Sequence, residues 1–347
     1  MFETIFVDAA NWLRNLLISI NLSPFVVEVF LHVVKMVVIL VFVLLNVMWL
    51  VYMERKVSAR FQCRVGPDRN GPYGLAQIFN DVAKLISKEM ILPTHVNKKM
   101  YLLAPILIFA PPMAILAVTP MGEGMAAVDL NLGLYYFVAI AGINTVVVWM
   151  AGWSSNNKYS LVGGMRAVAQ MVSYEIPLLL ALVGVIVLTG TLNLNGIVEA
   201  QKSAWLIFTQ PLAFFIYFIA AMAEANRAPF DLVEGESEII SGPYTEYSGM
   251  GFAFFFLAEY ANLLVMAIMT TTLFLGGWLA PFGWTFIPSW LWFIIKVYFV
   301  IWVVMWMRWT FPRIRIDHLM NLAWKFLVPL AIANIFVTGL AKYFIGI

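Results

Sequence analysis

Five carboxylates fall within fifteen residues of a chain otherwise sparing with charge: Glu224, Asp231, Glu234, Glu236 and Glu238. Arg227 is the only cation among them. Like charges at that density repel one another and favour keeping a proton, so the segment suits proton handling or docking onto a basic partner. A solvated acidic loop is the plainer alternative. Apolar stretches elsewhere carry Lys35, Glu175, Glu259 and Lys296, with Glu28 near the end of one. A charge at bilayer depth costs about 2.5–3.5 kcal/mol on the insertion scale, so such groups pair or line wet cavities. Several on different stretches, beside the acidic segment, point to a path for protons. Asn46, Asn144, Gln170 and Asn262 could extend it, though interhelical hydrogen bonds account for them equally well.

A second chemistry-bearing segment is basic. Glu54-Arg55-Lys56 ends the first apolar stretch, and Arg64-Val65-Gly66-Pro67-Asp68-Arg69-Asn70-Gly71-Pro72-Tyr73-Gly74 follows. Glycine and proline at this density specify a fixed, turning backbone. Residues Leu75–Met90 then place Leu75, Ile78, Phe79, Val82, Leu85 and Ile86 on one helical face, as an interfacial helix would. The segment reads as a substrate or docking surface, or as no more than a basic loop that fixes topology.

The elements that position these groups are membrane spans. The chain is 63% hydrophobic and 12% charged, with a mean hydropathy of +0.88. Soluble domains are nearer half apolar and a quarter charged. A net charge of +2 gives no case for nucleic acid. One cysteine, Cys63, excludes an intrachain disulfide and a four-thiolate iron–sulfur site. Of the three histidines only His32 falls in an apolar stretch, so a haem held between paired histidines is excluded too. The expectation is a single all-α integral membrane domain over residues 1–347. It has about eight spans, an amphipathic helix over residues 1–22, and functional inside loops over residues 53–101 and 226–250. The N-terminal segment lacks the basic start and small-residue cleavage site of a signal peptide.

Each span needs about 20 residues to cross about 30 Å of hydrocarbon. They are expected at about Val29–Tyr52, Leu102–Val118, Leu134–Trp153, Ala169–Thr189, Trp205–Ala225, Gly251–Leu275, Phe286–Met307 and Lys325–Ile345. Pro177, Pro211 and Pro329 are expected near helix starts, and Pro105, Pro111 and Pro112 within the second span. Lys and Arg crowd the loops after spans one and seven, whereas the loops after spans two and six have none. By the positive-inside rule the odd-numbered loops face the cytoplasm and both termini lie outside.

Four motifs resemble the family of quinone-site membrane subunits, the H subunits, of respiratory complex I. They are Glu54-Arg55-Lys56 with Arg64-Val65-Gly66-Pro67; Gln170-Met171-Val172-Ser173-Tyr174-Glu175; Glu224 to Leu232 with Glu234 to Glu238; and Arg308 with Pro312 to Asp317. The resemblance runs from about Glu54 to Leu330. It implies a subunit of a proton-translocating NADH:quinone oxidoreductase that carries no redox centre itself. Quinone is then the substrate, with no metal, haem or flavin bound here. The implied partners are peripheral subunits carrying the terminal iron–sulfur cluster and the flavin, and small and antiporter-like membrane subunits. By the same analogy Arg55, Arg64, Phe230 and Asp231 line the quinone cavity or its entrance. Glu175, Glu224 and Glu259 begin a charged path, with Arg227, Glu234, Glu236 and Glu238 coupling it to the cavity. Arg308, Arg313 and Arg315 dock partners. The setting implied is a bacterial plasma membrane, with a mitochondrial inner membrane as the alternative. Two other readings stay open: the matching subunit of a ferredoxin-fed complex or membrane-bound hydrogenase, and a stand-alone ion transporter.

Overall fold

A computed structural model describes residues 5–19, 23–233, 235, 239–284 and 286–345. Among them the regular structure is helical throughout. The elements are α1 (Ile5–Ser19), α2 (Pro24–Phe61), α3 (Ala76–Ser87), α4 (Lys98–Val118), α5 (Gly133–Ser154), α6 (Lys158–Thr189) and α7 (Leu194–Ala200). They continue as α8 (Leu206–Thr209), α9 (Pro211–Glu224), α10 (Gly249–Phe274), α11 (Ser289–Thr310), α12 (Ile316–Asn321) and α13 (Val328–Ile345). A π-helical stretch, Leu322–Leu327, joins α12 to α13. Among the described residues, 7 helical stretches are long and apolar enough to cross a membrane.

The fifth expected span differs. It is a 14-residue helix, α9, preceded by the single turn α8. At 1.5 Å per residue α9 is about 21 Å long. Pro211 supplies no N–H and disfavours helical backbone at Gln210, which breaks the chain there. The Gln210 amide donates to Gly184 O at 3.0 Å and Thr338 Oγ1 at 3.2 Å, fixing the break to α6 and α13.

Two other boundaries move. Helix α2 has 38 residues, about 57 Å, so Met53–Phe61 continue the helix and belong to no loop. Helix α6 starts at Lys158, capped by the Asn157 side chain, which places Pro177 inside the helix instead of at its start. Pro329 also lies within a continuous helical run, directly after the wide π-turn.

Helix α6 packs on α5, α9 and α13, while α10 packs on α2, α4 and α11. Every residue of α10 from Leu263 to Phe274 is buried. Thr270, Thr271 and Thr272 lie in that run and donate to the carbonyls of Met266, Ala267 and Ile268 at 2.7–2.9 Å. Those bonds satisfy three hydroxyls that an apolar core would otherwise leave unpaired. Near the end of α10, Lys296 on α11 donates to Leu275, Gly277 and Leu279 carbonyls at 2.7, 3.0 and 2.6 Å. Its ammonium also lies 4.3 Å from the Trp205 ring centroid. Lys296 thus holds a helix terminus together.

The loops after α2, α5, α9 and α11 gather at one end. Asn156 Nδ2 donates to His95 O, Asn157 Nδ2 to Glu246, and Arg313 pairs with Asp231. At the far end Asn193 donates to Asp129, and Gln201 Oε1 accepts from Gly276 N. This segregation matches the alternation expected from the loop charges. Glu123, exposed in the loop between α4 and α5, offers a test of which end faces out. With Cys63 replaced by Ser, Glu123→Cys should react with an impermeant thiol reagent added to intact cells. Labelling only after the cells are opened would reverse the orientation.

Candidate functional site

Helical phase divides the Glu54-Arg55-Lys56 triplet. Tyr52, Arg55 and Lys56 share one face of α2 at i, i+3, i+4 spacing. Tyr52 Oη donates to Tyr73 O at 2.9 Å, Arg55 pairs with Asp81 on α3, and Lys56 Nζ is 3.8 Å from Asp68. The loop they hold turns on residues with positive φ: Gly71, Tyr73 and Gly74. At Gly74 a Cβ would sit 2.1 Å from Pro67 O, so no other residue fits that turn. Cys63 and Arg64 are exposed on this loop.

Glu54 points the other way, into the bundle, and is buried. Its Oε2 is 3.2 Å from Nη1 of Arg227, and its Oε1 pairs with Arg308 of α11. Arg227 Nη2 lies 3.3 Å from Glu259 Oε1 on α10, and its guanidinium carbon is 4.2 Å from the Tyr260 ring centroid. Four elements thus contribute one alternating row: Arg308, Glu54, Arg227, Glu259. Arg227 is only 2% exposed, so its charge depends on these partners. Burial works against its protonation, but Glu259 and Glu54 outweigh that and hold it charged more firmly than a free guanidinium.

The turn that presents Arg227 is anchored by Gln170 of α6. Its Nε2 donates to Ala223 O at 2.7 Å, Asn226 Oδ1 at 3.2 Å and Phe230 O at 2.7 Å. Asn226 has φ 51, and the Ala228–Pro229 peptide is cis. Phe230 is buried with its ring centroid 5.6 Å from that of Tyr174. Asp231 pairs with Arg313 at 3.2 Å, and Ile314 N donates to Pro229 O at 3.2 Å. The segment after α11 is thereby fastened to the loop after α9. Gly242, at φ 52, lies where a Cβ would meet Val233 O at 1.9 Å, which closes the loop's return against α6. Arg315 is exposed and pairs with Asp317 at 2.8 Å.

The remaining acids fall into two sets. Glu224, at the end of α9, borders a cavity with Tyr217, Asn144 and Asn262. Glu175 is within electrostatic reach of Glu224, and a Cβ on Gly142 would be 3.1 Å from its Oε1. Glu234, Glu236 and Glu238 lie outside the described residues.

The structure therefore brings Arg227, Glu259, Arg308 and, around a second ion pair, Asp231 and Arg313 to one end. It sets Glu224 beside a separate cavity with Glu175 in electrostatic reach, and leaves Arg55, Arg64 and Arg315 at the rim. Sequence reasoning missed Glu54 as the hub. Its signal was present: an acid at the end of an apolar span beside two cations. Tyr260, which stacks on Arg227, carried no signal of its own.

A family profile described as NADH dehydrogenase matches residues 34–339. The chain is similar to the NADH-quinone oxidoreductase H subunit of Carboxydothermus hydrogenoformans, 58% identical over 343 residues that cover 99% of this chain and 98% of that one. It is 51% identical over 290 residues to the corresponding H subunit of Geobacillus sp. strain WCH70, covering 83% and 87% of the two chains. To that of Bacillus cytotoxicus it is 47% identical over 344 residues, 99% of each.

Proposed function

The chain belongs to the H-subunit family of NADH-quinone oxidoreductases, and from that premise we propose that it walls the quinone cavity and couples quinone reduction to proton movement. The observation that carries this reading is the buried row Arg308–Glu54–Arg227–Glu259. It joins the helix bearing the basic loop to the helices bearing the membrane carboxylates. A change in charge at the rim would be felt along a row held in so little water, because screening falls as burial rises. Arg55, Arg64 and Asp231 face the quinone or its entrance, with Phe230 fixing the loop that carries Asp231. Glu259, Glu224 and Glu175 carry the response inward, and Glu234, Glu236 and Glu238 complete the link. Arg313 and Arg315 meet peripheral subunits, which bring the iron–sulfur cluster and flavin, while small and antiporter-like subunits continue the path within the bilayer.

The relatives are named as subunits, which removes the ground for a stand-alone transporter. Their names also favour NADH over ferredoxin as the donor of the whole complex. Arg64 provides the test, because its exposed side chain can be removed without opening a core. Arg64→Ala in the assembled complex should lower quinone reduction about tenfold, the scale of one lost charge-assisted contact. NADH oxidation by an artificial acceptor that takes electrons from the flavin should persist. Full quinone reductase activity in an assembled Arg64→Ala complex would count against a cavity or entrance at this loop. Arg55→Ala also breaks the pair with Asp81 and should lower both activity and the yield of complex.

A further inference from the structure

The cavity beside Glu224 has a volume of about 30 Å³. A water needs about 10–15 Å³ on this measure, with two to four polar partners. Partners are present on three helices: Tyr217 and Glu224 on α9, Asn144 on α5 and Asn262 on α10. The Asn144 amide donates to Asn262 Oδ1 at 3.3 Å, which leaves Asn144 Oδ1 with no hydrogen-bond partner. Tyr217 is fully buried, and its hydroxyl also has none. Thr270 approaches the Tyr217 hydroxyl, but its Oγ1, whose own proton goes to Met266 O at 2.7 Å, lies outside hydrogen-bond geometry with it. Two orphaned buried oxygens around one cavity each keep an uncompensated desolvation cost unless something satisfies them.

We infer that this cavity is a built water site, and that Tyr217 is a positioning residue holding the water against the Glu224 carboxyl group. The inference rests on the proton path proposed above and adds a member that none of the four sequence motifs contains. Tyr217 and the protonated Glu224 carboxyl donate to the water oxygen, Asn144 Oδ1 accepts one water proton, and the other is free to move towards Glu175. Glu175 lies one turn before Leu178, which lines the cavity, and its Oε1 is beside Gly142, the neighbour of the lining residue Ala141. A proton on Glu224 passes to water as that water, or a second one, releases a proton to the Glu175 carboxylate. Glu224 ends ionised and Glu175 protonated, with the water restored. Tyr217 keeps its own proton throughout, so it positions the relay and is not consumed by it.

Tyr217→Phe tests this directly, since it deletes an unpartnered hydroxyl and leaves the ring in place. The assembled complex should reduce quinone about tenfold more slowly, with a larger solvent deuterium isotope effect and unchanged electron transfer to an artificial acceptor. A water-resolving map of the wild-type complex should show density within hydrogen-bond distance of Tyr217 Oη, and the Phe variant should lose it. Absence of that density in the wild type overturns the inference. So does a Tyr217→Phe complex with the wild-type rate and isotope effect. Failure of the parent reading looks different: Glu224→Gln would reduce quinone and pump normally while the water on Tyr217 remained in the map.

Discussion

Arg227→Met is expected to abolish accumulation of the assembled complex. The substitution keeps much of the side chain's bulk but leaves Glu54 and Glu259 without the cation between them. Breaking a buried ion pair by removing one partner costs about 3–5 kcal/mol, because the remaining charge stays desolvated. Here two carboxylates share the loss, and the stack on Tyr260 goes too. Native electrophoresis of membrane extracts checks the outcome. Arg227→Lys should be intermediate: an ammonium cannot reach two carboxylates and stack on a ring as a guanidinium does. The decisive control is Arg227→Met with Glu54→Gln and Glu259→Gln. Removing both carboxylate charges together with the arginine removes the penalty, so the complex should accumulate again while quinone reduction stays low. Arg308, left alone by that change, is 28% exposed at its side chain and can reach water. If Arg227→Met alone assembles normally, the buried row is not what joins these helices.

The second large effect concerns Glu224 and Glu175. Glutamine keeps the shape and most of the hydrogen bonding of glutamate but cannot release the proton. In assembled complexes Glu224→Gln and Glu175→Gln should lower quinone reduction and proton pumping together, by tenfold or more, since a blocked transfer stalls a tightly coupled cycle. Glu259→Gln should lower both as well, but for a mixed reason, because it also removes a partner of Arg227. The extent of assembly separates the two contributions: it should be normal for Glu175→Gln and reduced for Glu259→Gln. Paired measurements of quinone reduction and pumping in reconstituted vesicles give the answer. Normal rates of both in all three variants would leave these acids as structural polar contacts.

Much of the architecture was legible because membrane insertion is read from local sums. Hydropathy over about twenty residues located the spans, and loop charge gave an alternation that the gathered loops of the fold match. The glycine and proline run from Gly66 to Gly74 announced a fixed turn, and positive φ at Gly71 and Gly74 bears that out. The same local sums misplaced what depends on helix ends. Hydropathy ended the first span at Tyr52 and began the fourth only at Ala169, whereas the backbone ladder of α2 runs on to Phe61 and that of α6 starts at Lys158.

The sequence by itself determined which residue types were too costly to be idle: Glu175, Glu224, Glu259, Lys296 and the acids after Glu224. Only the tertiary structure decided what the described ones among them meet. Lys296 spends its protons on three carbonyls at a helix end, while Glu259 faces an arginine. Glu54 and Arg55 are neighbours in sequence, yet a rotation of about 100° per residue sends one inward and the other to the rim. Which face is inward depends on partners 173 and 254 residues away, Arg227 and Arg308. Burial cost is a property of one residue in its segment; ion pairing is a property of two segments, and becomes definite only when packing brings them together.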